Sequence, residues 1–190
     1  MPLLKKYSEL DDVTIEIKKE LLAEEGVLWC PLMSLPSRLH LDPATLKRHG
    51  PYLQLNPESV EHWRVKLRRR SSHRLIGLHW QGNPRHEGSL YSKGRSMPFT
   101  AFSGLKDLDS VEFVSVQKGA GSEQLQLDAD LPFVDGQEEV SASMDFIDTA
   151  SVLANCDLVI SADSGVVHLA GALGIPTWVA LRLVPEWRWG

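Results

Sequence analysis

A parallel α/β sheet covered by helices is the fold class this sequence predicts. Three observations lead there. Short apolar runs of strand length recur at RLIGLHW, VEFVSVQ, DLVIS and IPTWVAL. Segments with helix start signals lie between them, joined by short links. Hydrophobic residues make up 43% and charged residues 24% of 190, a balance that buries a core without a metal or disulfide staple.

Residues 1–56 are the least legible. Asp12 to Ala23 reads either as a short strand (VTIEI) followed by a helix or as one helix. The stretch from Trp29 to Pro57 contains five prolines and reads as an extended connector. Asn56-Pro57-Glu58 is a helix start, with Asn as N-cap, Pro at the first helical position and an acid in the first turn. Val60, Trp63 and Leu67 continue it as an apolar stripe. Arg74–Trp80 is the first strand, and a polar loop runs from it through Ser96 to a helix opened by Pro98. Val111–Gln117 is the second strand, followed by a Lys-Gly-Ala-Gly turn and a short helix. Asp145–Asn155 is a helix with Phe146, Ala150 and Leu153 on one side. Asp157–Ser161, Ser164–Leu173 and Ile175–Leu181 complete the pattern as strand, helix and strand. No repeat or low-complexity segment interrupts it.

Composition narrows the function classes. Cys30 and Cys156 stand too far apart to suggest a disulfide framework or a zinc knuckle. The N-terminus has charges throughout and no apolar core, unlike a secretory signal. The most apolar stretch, Leu158 to Leu181, contains Asp163, His168 and Pro176 and does not read as a membrane span. The expectation is a soluble, cytoplasmic protein. Its net charge of −5 is uneven: residues 119–181 carry ten acids and no Lys or Arg. The basic run Arg64 to Arg74 could contact nucleic acid or form the solvated end of a helix. The second reading is favoured, because no aromatic platform accompanies the run and the acidic half repels a phosphate backbone.

Ligands of open parallel sheets bind outside the carboxyl ends of the strands, and four segments leave such ends. Ser161-Ala-Asp-Ser-Gly-Val-Val-His168 is the strongest. Asp163 can cap the next helix, and Ser164 and Gly165 open it. The exposed N–H groups and positive dipole end suit an anion, and Gly165 admits a ligand close to the backbone. His168 lies three and four residues on and can share that face; the bland alternative is that it only packs. In His79-Trp-Gln-Gly-Asn-Pro84, Gln81 and Asn83 can hydrogen-bond a polar ligand around Gly82, or the segment is an ordinary turn. Lys93-Gly-Arg95-Ser96 precedes a helix: Arg95 could neutralise a diphosphate and Ser96 could cap the helix, or both are loop surface. Gln117-Lys118-Gly119 is the weakest of the four. Metal-ligand spacing, a nucleophile elbow, a Walker loop and a dinucleotide fingerprint are all absent from the sequence.

Taken together, these segments resemble the C-terminal, nucleotide-sugar-binding half of a heptosyltransferase-like GT-B glycosyltransferase, of the kind often attached to tetratricopeptide repeats. The resemblance runs from Ile76 to Gly190. It rests on Gly77-Leu-His-Trp-Gln-Gly-Asn-Pro84, Arg95-Ser96, Ser115-Val-Gln-Lys-Gly119, Asp145-Phe-Ile-Asp-Thr-Ala150, Asp157-Leu-Val-Ile-Ser161, Asp163 to Gly174, Pro176-Thr-Trp178 and Trp187-Arg-Trp189.

The resemblance implies a Rossmann-like parallel sheet with helices on both faces, one half of a GT-B fold. Residues 57–190 would form this nucleotide-sugar-binding domain, and residues 1–56 a remnant of the N-terminal domain with its connector. Asp163, Ser164, Gly165, His168, Arg95 and Ser96 would bind the donor diphosphate and sugar. Gln81, Gly82, Asn83, Gln117 and Lys118 would line the donor cleft. The implied reaction transfers a hexosyl or heptosyl group from a nucleotide-diphosphate sugar to an acceptor hydroxyl. No metal or other cofactor is expected, because helix N-termini and cations stabilise the leaving diphosphate. Ser164 stands where many members have Thr, which keeps the hydroxyl. The acceptor-binding domain is almost wholly missing, so the chain reads as a fragment, inactive alone, with no catalytic base assigned. Expected partners are the nucleotide-sugar donor, the missing domain or tetratricopeptide repeats, and further copies of the chain, with no nucleic acid and no membrane span. The rival reading is a non-catalytic protein-binding or scaffold module on the same fold.

Overall fold

The computed structural model describes residues 30–31, 34–42, 50–88, 94–126, 130–143, 145–186 and 189. Four strands, β1 (Arg74–His79), β2 (Val111–Ser115), β3 (Leu158–Ala162) and β4 (Thr177–Ala180), form one parallel sheet in the order β2-β1-β3-β4. The α-helices are α1 (Leu35–Arg38), α2 (Pro57–Leu67), α3 (Gln137–Ala142), α4 (Phe146–Leu153) and α5 (Gly165–Ala172). The predicted fold class is the observed one. The strand or helix expected over Asp12–Ala23 lies outside the described residues.

Strand alternation sorts the core into two layers. Leu75 and Val114 join Trp63, Leu67, Val152, Leu153 and Leu169 beneath the α-helices. Ile76, Leu78, Trp80 and Phe113 point the other way, against Phe99, Phe102 and Leu131. Handedness explains the split. The chain leaves β1 toward β2 in one direction, then crosses back over β1 to β3 and on to β4. Right-handed crossovers therefore put the first connection on one face and the later helices on the other.

The first connection departs from the sequence reading. The helix expected at Pro98 is a 3-10 segment, Phe99–Leu105. Its Thr, Ser and Gly are weak α-helix formers, and Phe99 and Phe102, three apart, are both buried as the tighter helix allows. Trp80 and Phe99 rings meet at 4.7 Å, and the indole N–H donates to the Gly121 carbonyl at 3.2 Å.

On the helical face, Asn56 caps α2 as expected, its side chain accepting from Glu58 N at 2.9 Å. Trp63 of α2 donates to Asp148 of α4 at 3.0 Å, and Ser59 meets Ser151 at 2.8 Å. Gly136, before α3, lies so close to the end of α2 that a Cβ there would fall 1.9 Å from the Lys66 carbonyl oxygen. The sequence reading puts Phe146 on one side of α4 with Ala150 and Leu153. Those two are fully buried, whereas Phe146 is 57% exposed, because the first residue of α4 overhangs the sheet.

The basic run serves as a structural clamp. Arg69 and Arg74 hold Asp157 at 3.1 and 3.0 Å, and Asp157 also accepts from Leu75 N at 2.8 Å. Arg68 pairs with Glu139 at 2.7 Å, and the Arg70 N–H donates to Glu112 at 2.7 Å. Burial pushes the Asp157 carboxyl up, but the Leu75 N–H and the two guanidiniums outweigh it and hold it below the usual carboxylate range.

Candidate functional site

The two strands whose connections run in opposite directions are β1 and β3, and they are direct neighbours. This is the topological switch point, where the loops separate and leave a crevice at the carboxyl ends. Register pairs the last residue of β1, His79, with Ser161 of β3. A cleft of about 650 Å³ opens above this pair. The β1 exit (His79, Gln81, Gly82, Asn83, Pro84, Arg85) forms one wall. Ser164, Gly165 and Val166 from the first turn of α5 form the floor with His79. Val116, Lys118 and Ala120 close it from β2, and Phe146 and Thr149 from α4.

The α5 end is built by its own residues. Ser164 is the N-cap, its hydroxyl oxygen accepting from Val166 N at 3.2 Å. The cap expected of Asp163 is thus supplied by Ser164. Asp163 is instead buried, with Oδ1 unpaired and Oδ2 3.6 Å from Arg95 Nε. Arg95 also donates to the Asp163 carbonyl from Nη2 at 2.8 Å and Nε at 3.2 Å. Gly165 leaves open the space a Cβ would fill; the nearest atom to that point is Phe146 Cζ at 3.8 Å.

His79 is 7% exposed. Its Nδ1 lies 3.2 Å from Ser164 Oγ and 3.4 Å from Ser161 Oγ. Burial pushes its pKa down to about 4, so the imidazole is neutral at neutral pH. Lys118 donates its amine to the Val140 carbonyl of α3. Burial draws that amine's pKa down, against the opposing pull of the Asp148 charge.

The other predicted site residues divide. Gln81, Gly82, Asn83, Lys118, Ser164 and Gly165 line the cleft together. Within that group Asn83 caps a 3-10 turn (Pro84–His86) by accepting from Arg85 N at 3.0 Å.

Gln117 does not line the cleft. Its amide oxygen accepts from Trp80 N and Gln81 N at 3.1 and 3.0 Å, and its amide nitrogen donates to the Gln81 and Ala120 carbonyls at 2.8 and 2.7 Å. All four hydrogen-bonding positions of the amide are spent joining the ends of β1 and β2. The donor-contact role expected of Gln117 is therefore corrected to a structural one.

Ser96 is likewise not the cap of the following segment, whose N-cap is Pro98. Its hydroxyl accepts from Gly82 N at 2.9 Å and donates to Glu87, pinning the glycine turn. His168 does not line the cleft either: it is exposed one turn along α5 and stacks on Trp189 with ring centroids 5.5 Å apart. Lys93, Trp187 and Arg188 lie outside the described residues.

Sequence reasoning missed His79, Arg85, Phe146 and Thr149 as cleft residues. His79 had a readable signal. The inward positions of β1 are Leu75, Gly77 and His79, and a polar residue at the last inward place of a buried strand has to face something polar.

Fold and site define a Rossmann-like α/β domain whose switch-point cleft combines a helix N-terminus with cationic and neutral hydrogen-bond donors. Such a cleft can hold an anionic, hydroxyl-bearing ligand. Comparison with known proteins narrows the class. Residues 117–181 match the model of glycosyltransferase family 9 (heptosyltransferase), so the resemblance read from the sequence holds over this stretch. The chain is 28% identical over 148 residues to Protein FlbA of Caulobacter vibrioides, covering 76% of this chain and 24% of FlbA. The chain thus spans about a quarter of the length of that curated relative. A structure of E. coli ADP-heptose lps heptosyltransferase II is similar to it with a TM-score of 0.48 and 17% identity, covering 70% of this chain and 41% of that one. Among the described residues no helix is long and apolar enough to cross a membrane.

Proposed function

We propose that the chain is the donor-binding half of a glycosyltransferase and that its cleft holds the diphosphate of a nucleotide sugar. The observation that carries this reading is the first turn of α5, with Ser164, Gly165 and Val166 lining one cleft with Lys118 and Arg85. Partial positive charge at the helix end and two basic side chains lining the same cleft suit a diphosphate. Asp163 and Arg95 act one layer behind. The guanidinium fixes the Asp163 carbonyl and carboxylate, and so sets the path of the backbone into α5. Transfer to an acceptor hydroxyl needs a base, which this reading assigns to an acceptor-binding domain or partner. The leaving diphosphate is stabilised by the helix end and the cations, without a metal.

Calorimetric titration with ADP, UDP and GDP tests the reading. Binding of one of them, unchanged by EDTA and weakened about tenfold in Lys118→Ala, is the expected result. Silence from all three with folded protein overturns it.

A further inference from the structure

His79 closes the floor of the cleft, yet its polar edge has no use in the fold. Its Nδ1 side is occupied. Ser161 Oγ donates its proton to the Ala162 carbonyl at 2.8 Å, so toward Nδ1, 3.4 Å away, it can only accept. Ser164 Oγ accepts from Val166 N at 3.2 Å, and its own proton remains available to Nδ1 at the same distance. An imidazole that accepts at Nδ1 carries its proton on Nε2. Among the described residues no group accepts a hydrogen bond from that Nε2–H, and Nε2 is not one of the buried atoms left without a partner, in a side chain that lines the cleft. A donor that the fold leaves unmatched at the floor of a cleft is available to what enters the cleft.

We infer that His79 is a ligand-binding residue: held by the Ser164 hydroxyl, it presents Nε2–H to an oxygen of the bound diphosphate. This rests on the donor-site reading above and adds a contact to it. Ser164 acquires two linked tasks, capping α5 and setting the tautomer of His79. The strand end and the helix end then act on the same anion through one hydroxyl. A neutral donor suits this place, since a full positive charge directly beneath the helix end would be repelled by its dipole.

The test uses the full chain with ¹⁵N-labelled histidine and ADP as probe. Long-range ¹H–¹⁵N spectra of the free protein are expected to show His79 as the Nε2–H tautomer, switching or mixing in Ser164→Ala. Adding ADP is expected to shift the Nε2 signal along the calorimetric binding curve. His79→Gln keeps an N–H donor near the Nε2 position and should bind ADP within about threefold of wild type, whereas His79→Leu should lose about tenfold or more. An Nδ1–H tautomer in the free protein, or a folded His79→Leu chain binding as wild type does, overturns the inference. If the leucine variant does not fold, the wild-type spectra decide. Wild-type binding with an unmoved His79 signal refutes this contact alone, while absence of any nucleotide binding refutes the donor-site reading and this inference with it.

Discussion

Acidification toward about pH 5 is expected to destabilise the fold through His79. The imidazole is neutral in the folded chain because burial lowers its pKa to about 4, whereas an unfolded histidine titrates near 6.5. With the folded pKa depressed, the contribution is fully present above the unfolded value and is lost as pH falls through the interval between the two. From pH 7.5 to 5 the unfolded chain takes up a proton that the folded chain refuses, which costs about 2 kcal/mol. The carboxylates with lowered pKa values, Glu61, Asp148 and Asp157, keep their contributions until more acid pH, and the lowered amine of Lys118 is common to both proteins compared below. Urea unfolding followed by tryptophan fluorescence, at both pH values and for wild type and His79→Gln, isolates the effect. The six remaining histidines are common to both proteins, so their contribution cancels in the comparison. The expected result is a stability loss about 2 kcal/mol smaller in the glutamine variant. Equal losses in the two proteins would refute the claim that the fold holds this imidazole neutral.

Other regions of the chain give sharper structural tests. Burial, with the neighbouring Asp157 charge, pushes the Cys156 thiol up to about 12. Iodoacetamide at pH 8 should therefore modify only Cys30 in native protein and both cysteines in urea, as mass spectrometry would count. A native adduct on Cys156 would contradict its burial. Gly136→Ala places a methyl against the Lys66 carbonyl and should cost about 3 kcal/mol in urea unfolding, since neither backbone can move aside cheaply. Gly165→Ala meets only the edge of Phe146, so the unfolding midpoint should hold while the new methyl, projecting into the cleft, weakens ADP binding. Unchanged affinity would mean that the ligand does not approach that turn.

The strands were legible because β1, β2 and β3 are largely buried parallel strands, written as near-continuous apolar runs, and the partly covered edge strand β4 keeps the same pattern. The start of α2 was equally plain, since Asn56-Pro57-Glu58 places three local signals in a row. Helix α3 was not anticipated. Its sequence QEEVSA buries one apolar side chain, Val140, and its placement depends on Gln137 exchanging hydrogen bonds with the Ser115 backbone at 2.7 and 3.1 Å. That partner lies 22 residues away, where no window of local periodicity reaches. The site divided in the same manner. Ser161-Ala-Asp-Ser-Gly was readable as a strand end turning into a helix end. Which polar side chains face the cleft was not. Gln117 looks like a ligand contact until four backbone groups claim its amide. His168 shares a helix face with Ser164 by spacing, yet it stands one turn along and stacks on Trp189.

The charge distribution acquires a reason at the cleft. Residues 119–181 contain no Lys or Arg and carry ten acids, yet they supply the helix end that lines the cleft. Lys118 and Arg85, which share that cleft, and Arg95, which braces Asp163 behind it, all come from the first 118 residues. Parallel topology brings the two halves together, because β1 and β3 are neighbours although 78 residues separate the last residues of β1 from the first of β3. At physiological ionic strength charges more than about 8 Å apart are largely screened. A net charge of −5 spread over the surface therefore opposes an anion less than two cations and a helix end within the cleft attract it. His79 is neutral, and among the described residues nothing accepts from its Nε2. It can discriminate by direction where the cations act by charge, which makes the hydrogen-bonding pattern of the ligand, and not its charge alone, the property this floor can read.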